Sequence, residues 1–361
     1  MRGRAGGQIA IAFAGYTGIA SRPDVFQVWG DQLNKTPTLD DVATRAGVST
    51  ATVSRYLNHP GVVAPLTAER IQSAIAETGY IPNMLAGGLA SNRSRLVAVL
   101  IPHLTNSIFN DTIEAMSNEL SAAGTNVMLG LTGMDDARTE ELLRAAISRR
   151  ADAVISTGTV TERVADLVRR STTLFIQVWE LPDDPIGLAV GFSHLDAGRD
   201  VARFLVARGY RRPHLITANG SRARMRRDGF VAEWRAAGGE APSESSVDIP
   251  SRFGHARKAF SDIRRLDRQP DVVVCGSDYL AQGLIVEAQA VGLRVPDDIA
   301  VVGFGNSSLA GEMRPTITTV DIDGARIARE AIAAIRRHAE GRELAERRID
   351  VGFRLIARES A

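Results

Sequence analysis

Nine short apolar runs separated by helical stretches constrain this chain more than any other feature. They fall at Leu96–Ile101, Asn126–Leu131, Ala153–Ser156, Leu174–Val178, Gly187–Phe192, His214–Ala218, Asp271–Gly276, Ala300–Phe304 and Ile317–Ile322. Runs without polar alternation suit strands buried on both faces of a parallel sheet. Nine such strands would make an unusually broad single sheet, so two doubly wound parallel sheets in two lobes are expected. At 361 residues, 44% of them hydrophobic, the chain can bury such cores and suits two or three domains.

The segment before these runs has a different character. Residues 1–36 carry no sustained periodicity, and Gly3, Gly6, Gly7, Gly15 and Gly18 raise the cost of ordering them, so a disordered leader is expected. From Thr38 to Tyr80 the pattern is compact and helical. Thr38 can cap a first helix opening with Leu39, Asp40 and Asp41, where acids suit the dipole, and Gly47 stops it. Ser49 caps a second helix over Thr50–Leu57, and Asn58-His59-Pro60-Gly61 reads as a loop. A third helix is expected from about Leu66 to Thr78, with a stripe of Leu66, Ile71, Ala74 and Ile75.

Two short helices joined through a glycine turn are the geometry of a helix-turn-helix, whose second helix enters the major groove. Thr50, Ala51 and Arg55 share one side of that helix. Arg55 can donate a bidentate pair to guanine O6 and N7, worth about 1–3 kcal/mol of discrimination, and Ala51 can touch a thymine methyl. Ser49, Thr52, Ser54 and Asn58 carry short polar groups suited to phosphate oxygens. Across residues 37–95, Arg45, Arg55, Arg70, Arg93 and Arg95 stand against Asp40, Asp41, Glu69 and Glu77. One copy therefore binds modestly, and a dimer on a two-fold site is expected.

Other classes of function are poorly supported. Net charge is +1, so any basic surface is local. A single cysteine, Cys275, leaves no disulfide framework and no cysteine cluster for zinc. The six histidines lack metal-site spacing, so neither metal nor cofactor is expected. No apolar stretch nears the roughly 20 residues of a membrane span, and Ile9–Gly15 is too short for a secretory signal, which points to the cytoplasm. The acid pairs Asp40-Asp41, Asp135-Asp136, Asp183-Asp184 and Asp297-Asp298 read as caps and solvation. Ser193 and His194 are sequence neighbours whose side chains diverge, and Cys275 ends a buried run as inert packing. No catalytic constellation is expected. The rivals are a ligand-binding protein that never meets DNA, against which the helix-turn-helix argues, and an α/β enzyme, for which the residues are lacking.

Val42-Ala43, Ala46-Gly47-Val48-Ser49, Thr52-Val53-Ser54-Arg55, Leu57-Asn58 and Gly79-Tyr80-Ile81-Pro82-Asn83 resemble the signature of the LacI/GalR family. The resemblance spans about residues 37–361, ending at Ala357-Arg358-Glu359-Ser360, and the stretch around Gly187–Phe192 is most similar to the gluconate-operon repressor branch. It implies a helix-turn-helix headpiece over 37–82, a hinge over 83–95 and a sensor over 96–361 similar to periplasmic sugar-binding proteins. The lobes would hold about 96–194 with 322–345, and about 195–321 with 346–361. It implies a homodimeric repressor on pseudo-palindromic double-stranded operator DNA. Leu39, Asn83 and a minor-groove wedge at Leu89 join the DNA contacts, although Gly87-Gly88 costs about 1 kcal/mol per glycine in a hinge helix.

In the sensor the resemblance carries ligand contact to Phe109, Arg226 and Asp278, with Arg222 beside them; Trp179-Glu180 and Phe192-Ser193-His194 complete the rim. As an alternative, Asp278 caps the helix that follows it. Gly303-Phe304-Gly305-Asn306 reads as a structural turn. The cluster Arg222, Arg224, Arg226 and Arg227 favours a small anionic effector such as a gluconate-like sugar acid over a neutral sugar. Lobe closure would repack the dimer and bias the hinge.

Overall fold

The computed structural model describes residues 36–82, 94–104, 107–158 and 160–361. Nearly all of the expected leader, together with Asn83 and Leu89, lies outside the described residues. The chain divides near residue 87 into two compact units.

The first unit holds α1 (Leu39–Ala46), α2 (Thr50–Asn58) and α3 (Pro65–Thr78). Thr38 and Asp41 form a reciprocal capping box that starts α1. Gly47 ends it at φ 65°, a left-handed turn that glycine adopts without strain. Ser49 accepts the Thr52 amide and opens α2. Val42, Ala43, Ala46, Val53, Ile71 and Ala74 form the small core. Leu66 departs from the expected stripe: it is 77% exposed, because Pro65 already begins the helix and the core-facing row starts at Ile71. The loop at Pro60 includes a one-turn 3₁₀ helix, Pro60–Val62.

The second unit contains two six-stranded sheets. The first has the order β11-β5-β4-β3-β1-β2, built from β1 (Leu96–Ile101), β2 (Asn126–Leu131), β3 (Ala153–Ser156), β4 (Leu174–Val178), β5 (Leu188–Gly191) and β11 (Arg348–Asp350). The second has the order β12-β10-β9-β8-β6-β7, built from β6 (Pro213–Ala218), β7 (Ser243–Val247), β8 (Val272–Cys275), β9 (Ala300–Phe304), β10 (Thr318–Asp321) and β12 (Arg354–Ile356). Pairing is parallel throughout except for the antiparallel β10–β12 edge. The helices, in chain order, are α4 (Asn110–Ala122), α5 (Asp136–Ser148), α6 (Glu162–Arg169), α7 (His194–Ala207), α8 (Ser221–Ala236), α9 (Phe253–Ile263), α10 (Asp278–Ala290), α11 (Ser308–Glu312) and α12 (Gly324–Ala339).

All nine apolar runs are strands. β1, β3, β4, β5 and β9 are buried almost throughout, as sheet-interior strands should be. β2 differs because it lies at an edge, leaving Leu129 and Leu131 exposed. β11 pairs with β5, so the chain returns to the second lobe after Asp350, later than the expected residue 346. The lobes are thus joined by three crossings, after β5, after β10 and after β11. Aromatic contacts pack the crossings: Phe192 lies 6.2 Å by centroid from both Phe304 and Phe353.

Candidate functional site

The first candidate site is the exposed face of α2. Thr50 and Ala51 stand at its start and Arg55 one turn on, Ala51 and Arg55 exposed. No carboxylate pairs with Arg55 among the described residues, whereas Arg45 pairs with Glu77 and Arg70 reaches the Gly47 carbonyl at 3.4 Å. Among the described residues of this unit, two arginines thus brace helices and Arg55 has no protein partner. Ser49 and Thr52 hydroxyls meet at 2.9 Å, and the Asn58 amide donates to the Ser54 carbonyl at 2.9 Å. These polar groups therefore stiffen the helix ends. Leu39 packs its half-buried side chain on the small core.

The second is a cavity of about 170 Å³ between the two lobes. It lies at the carboxyl ends of the strands, where doubly wound folds bind ligands. Phe109, Trp179, His194, Arg222 and Arg226, five of the six expected contacts, line it. The indole of Trp179 donates to Thr112 Oγ1 at 3.0 Å, and its ring stands edge-on to Phe109 at 5.2 Å. Its backbone is left-handed (φ 68°), a conformation costly for a bulky residue and kept where its surroundings over-determine it.

The Trp179 carbonyl accepts from His194 Nε2 at 2.8 Å, which leaves Nδ1 to accept from Arg226 Nη1 at 3.1 Å. Burial, then the charges of Arg226 and Arg222, hold His194 well below the usual histidine range, so the ring is neutral. Arg226 also donates to the Gly276 carbonyl at 3.2 Å and lies 3.9 Å over the Phe304 ring. Desolvation, then the Arg222 charge, push it down to about 9, and it remains a cation at neutral pH. Among the described residues no carboxylate pairs with it. Arg222 is different: its Nε donates to Glu180 Oε2 at 3.1 Å, and its Nη2 donates to the Thr157 carbonyl.

Close helix packing sets this geometry. α7 and α8 cross with Gly198 against the Arg226 carbonyl, where a Cβ would sit 1.9 Å away, and with Gly229 against that of Leu195 at 2.0 Å. Any side chain at either position would push His194 and Arg226 apart.

Asp278 is the expected contact that the structure places elsewhere. Its carboxylate accepts from Thr319 Oγ1 at 2.6 Å and from the Ser307 amide at 2.7 Å, inside the second lobe, and it does not line the cavity. Ser277, not Asp278, caps α10. Gly303 lets that carboxylate approach, since a Cβ there would lie 2.2 Å from Asp278 Oδ1. Phe192 also leaves the rim for the core, and the Ser193 hydroxyl caps α7 through the Asp196 amide at 3.1 Å.

Residues 38–83 match the bacterial regulatory proteins of the lacI family, and residues 202–361 match a periplasmic binding protein-like domain. The chain is 34% identical over 328 residues to the HTH-type transcriptional regulator GntR of Pseudomonas aeruginosa, spanning 90% of this chain and 95% of that one. The chain belongs to the lacI family.

This lacI-family regulator is also similar to a solved lacI-family transcriptional regulator from Silicibacter pomeroyi (TM-score 0.83, 28% identity, 90% of this chain and 99% of that one). A second similar structure is the transcription regulator GntR of Chromobacterium violaceum (TM-score 0.69, 32% identity, 73% and 98%). The first unit is accordingly a helix-turn-helix DNA-binding domain and the second a ligand-binding domain. The regulator's cavity further holds Thr132, Thr139, Thr157, Ser251 and His103, which sequence reasoning did not single out. Thr132, Thr157, Ser251 and His103 are marked in sequence only by following a strand, and Thr139 by the first turn of α5, signals shared with many residues that face elsewhere.

Proposed function

We propose that this lacI-family chain is a cytoplasmic repressor that binds a pseudo-palindromic operator as a homodimer and releases or tightens it on binding a small sugar acid. The observation that carries the effector class is Arg226: a guanidinium in the cavity wall with protein acceptors but, among the described residues, no carboxylate. An uncompensated, partly desolvated cation is costly, and an anion bound between the lobes would complete it. Hydroxyl-bearing Thr132, Thr139 and Ser251 around it suit a polyol. On this reading Arg55 reads a guanine, Ala51 meets a base edge, and Ser49, Thr52, Ser54 and Asn58 face phosphates.

Dimerisation is supported by the apolar side chains left uncovered on edge strand β2 and on α10, where Tyr279 and Val286 are 38% and 42% exposed. The chain acts by binding and carries out no catalytic step. Among the described residues no helix is long and apolar enough to cross a membrane.

The test is selection of bound fragments from random duplexes, repeated with gluconate, a uronate, a neutral sugar and a purine. A two-fold-symmetric site whose occupancy responds to a sugar acid is the expected result. Response only to the neutral sugar or the purine would overturn the effector class.

A further inference from the structure

We propose that Glu180 fixes the charge of the effector: by neutralising Arg222 it leaves Arg226 as the uncompensated cation of the cleft, so a polyhydroxy monocarboxylate is accepted and the matching dicarboxylate refused. This rests on the reading of the cleft as an acid-binding effector site and adds the identity of its discriminating residue.

The pair is set across the lobes. Arg222 stands on α8 in the second lobe, while Glu180 follows β4 and Thr157 follows β3 in the first. Both partners are largely withdrawn from solvent, with side chains 18% and 12% exposed. Glu180 is itself held, since its Oε1 accepts from Gln177 Nε2 at 3.3 Å. Breaking such a pair strands a poorly solvated carboxylate, so Arg222 is not free to serve a ligand.

The other titratable groups facing the cleft point the same way. His194 is neutral, and burial lowers His103 as well. Asp136 sits exposed on the rim at the start of α5, where it adds repulsion against a second negative charge. A dicarboxylate would thus bring one charge to Arg226 and a second to a cleft whose remaining cation is already paired. Discrimination then comes from the unpaired charge of the wrong ligand as much as from contacts to the right one.

A polyol chain has its own partner. Thr157 is 2% exposed, lines the cavity, and its hydroxyl has no hydrogen-bond partner among the described residues. Such a group is satisfied by a ligand hydroxyl.

The experiment is calorimetric titration of the full-length protein with gluconate, glucarate and glucose, on the wild type, Glu180→Gln and Glu180→Asp. Wild type should prefer gluconate over glucarate by about tenfold or more, Glu180→Asp should keep that preference, and Glu180→Gln should erase or invert it. Gluconate binding with a gluconate-to-glucarate ratio that Glu180→Gln leaves within about twofold of wild type would overturn this assignment alone. Binding of glucose with neither acid would overturn both it and the acid-site reading. Should Glu180→Gln fail to fold, equal or tighter glucarate binding by wild type still overturns the assignment.

Discussion

Arg45, Arg55, Arg70, Arg222 and Arg226 are chemically identical side chains with different work. What separates them is the partner among the described residues: Glu77, none, a carbonyl, Glu180 and a neutral imidazole in turn. Among the described arginines of the headpiece Arg55 alone is exposed without a protein partner, so Arg55→Ala should cost about 1–3 kcal/mol of operator affinity and relax preference at one base pair per half-site. Gel-shift titrations against the selected operator and single-position variants check this; an unchanged preference would remove Arg55 from base reading.

The same residues show how far the sequence reaches. Phe109, Trp179, His194, Arg222 and Arg226 were legible because each sits in a motif whose place on the fold is fixed. Asp278 was not, because which way a carboxylate turns depends on Thr319 and Ser307, distant in sequence. Glu180 was expected on the rim but lies outside the cavity lining, where it pairs with Arg222 across the lobes, a contact that no local motif announces.

Among elements, the helices of the headpiece announce themselves through Thr38, Gly47 and Ser49, whose local hydrogen bonds need no tertiary context. Interior strands are equally plain, since burial on both faces demands continuous apolar runs. β7, β11 and β12 escape notice for the complementary reason. Ser243–Val247 is a polar edge strand, and the other two are three residues each, too short for any period. Invisible too was the crossing of α7 on α8, which depends on two glycines that look like helix-weakening residues in sequence. Gly198→Ala should destabilise the sensor by about 1–3 kcal/mol or more, through forced separation of backbones. Thermal unfolding reads the loss, and a wild-type melting temperature would show that the crossing has slack.

For the molecule as a whole, acid is the condition that tests the sensor's packing. His214 lies in β6 with Ser243 at 2.8 Å and Ser245 at 2.9 Å on its two ring nitrogens, and burial pushes it down to about 4. The unfolded chain protonates this residue near 6.5 and the folded one does not until about 4, so stability falls as pH drops through that window. His214→Gln removes this proton uptake. The deficit in melting temperature of His214→Gln relative to wild type should shrink from pH 7 to pH 4.5; a constant deficit would mean the ring titrates normally.

Three crossings between the lobes have a consequence for exchanging parts among relatives. Neither lobe is a continuous stretch of chain, so a fragment ending near Gly191 would lack α12 and β11, which complete the first sheet and its cover. A chimaera that grafts one lobe's specificity onto another regulator therefore needs coordinated junctions near residues 192, 322 and 352. A single breakpoint at any of them leaves at least one sheet assembled from strands of both parents. Recombination between paralogues is thereby biased towards swapping the headpiece, a contiguous block, and away from mixing halves of the sensor.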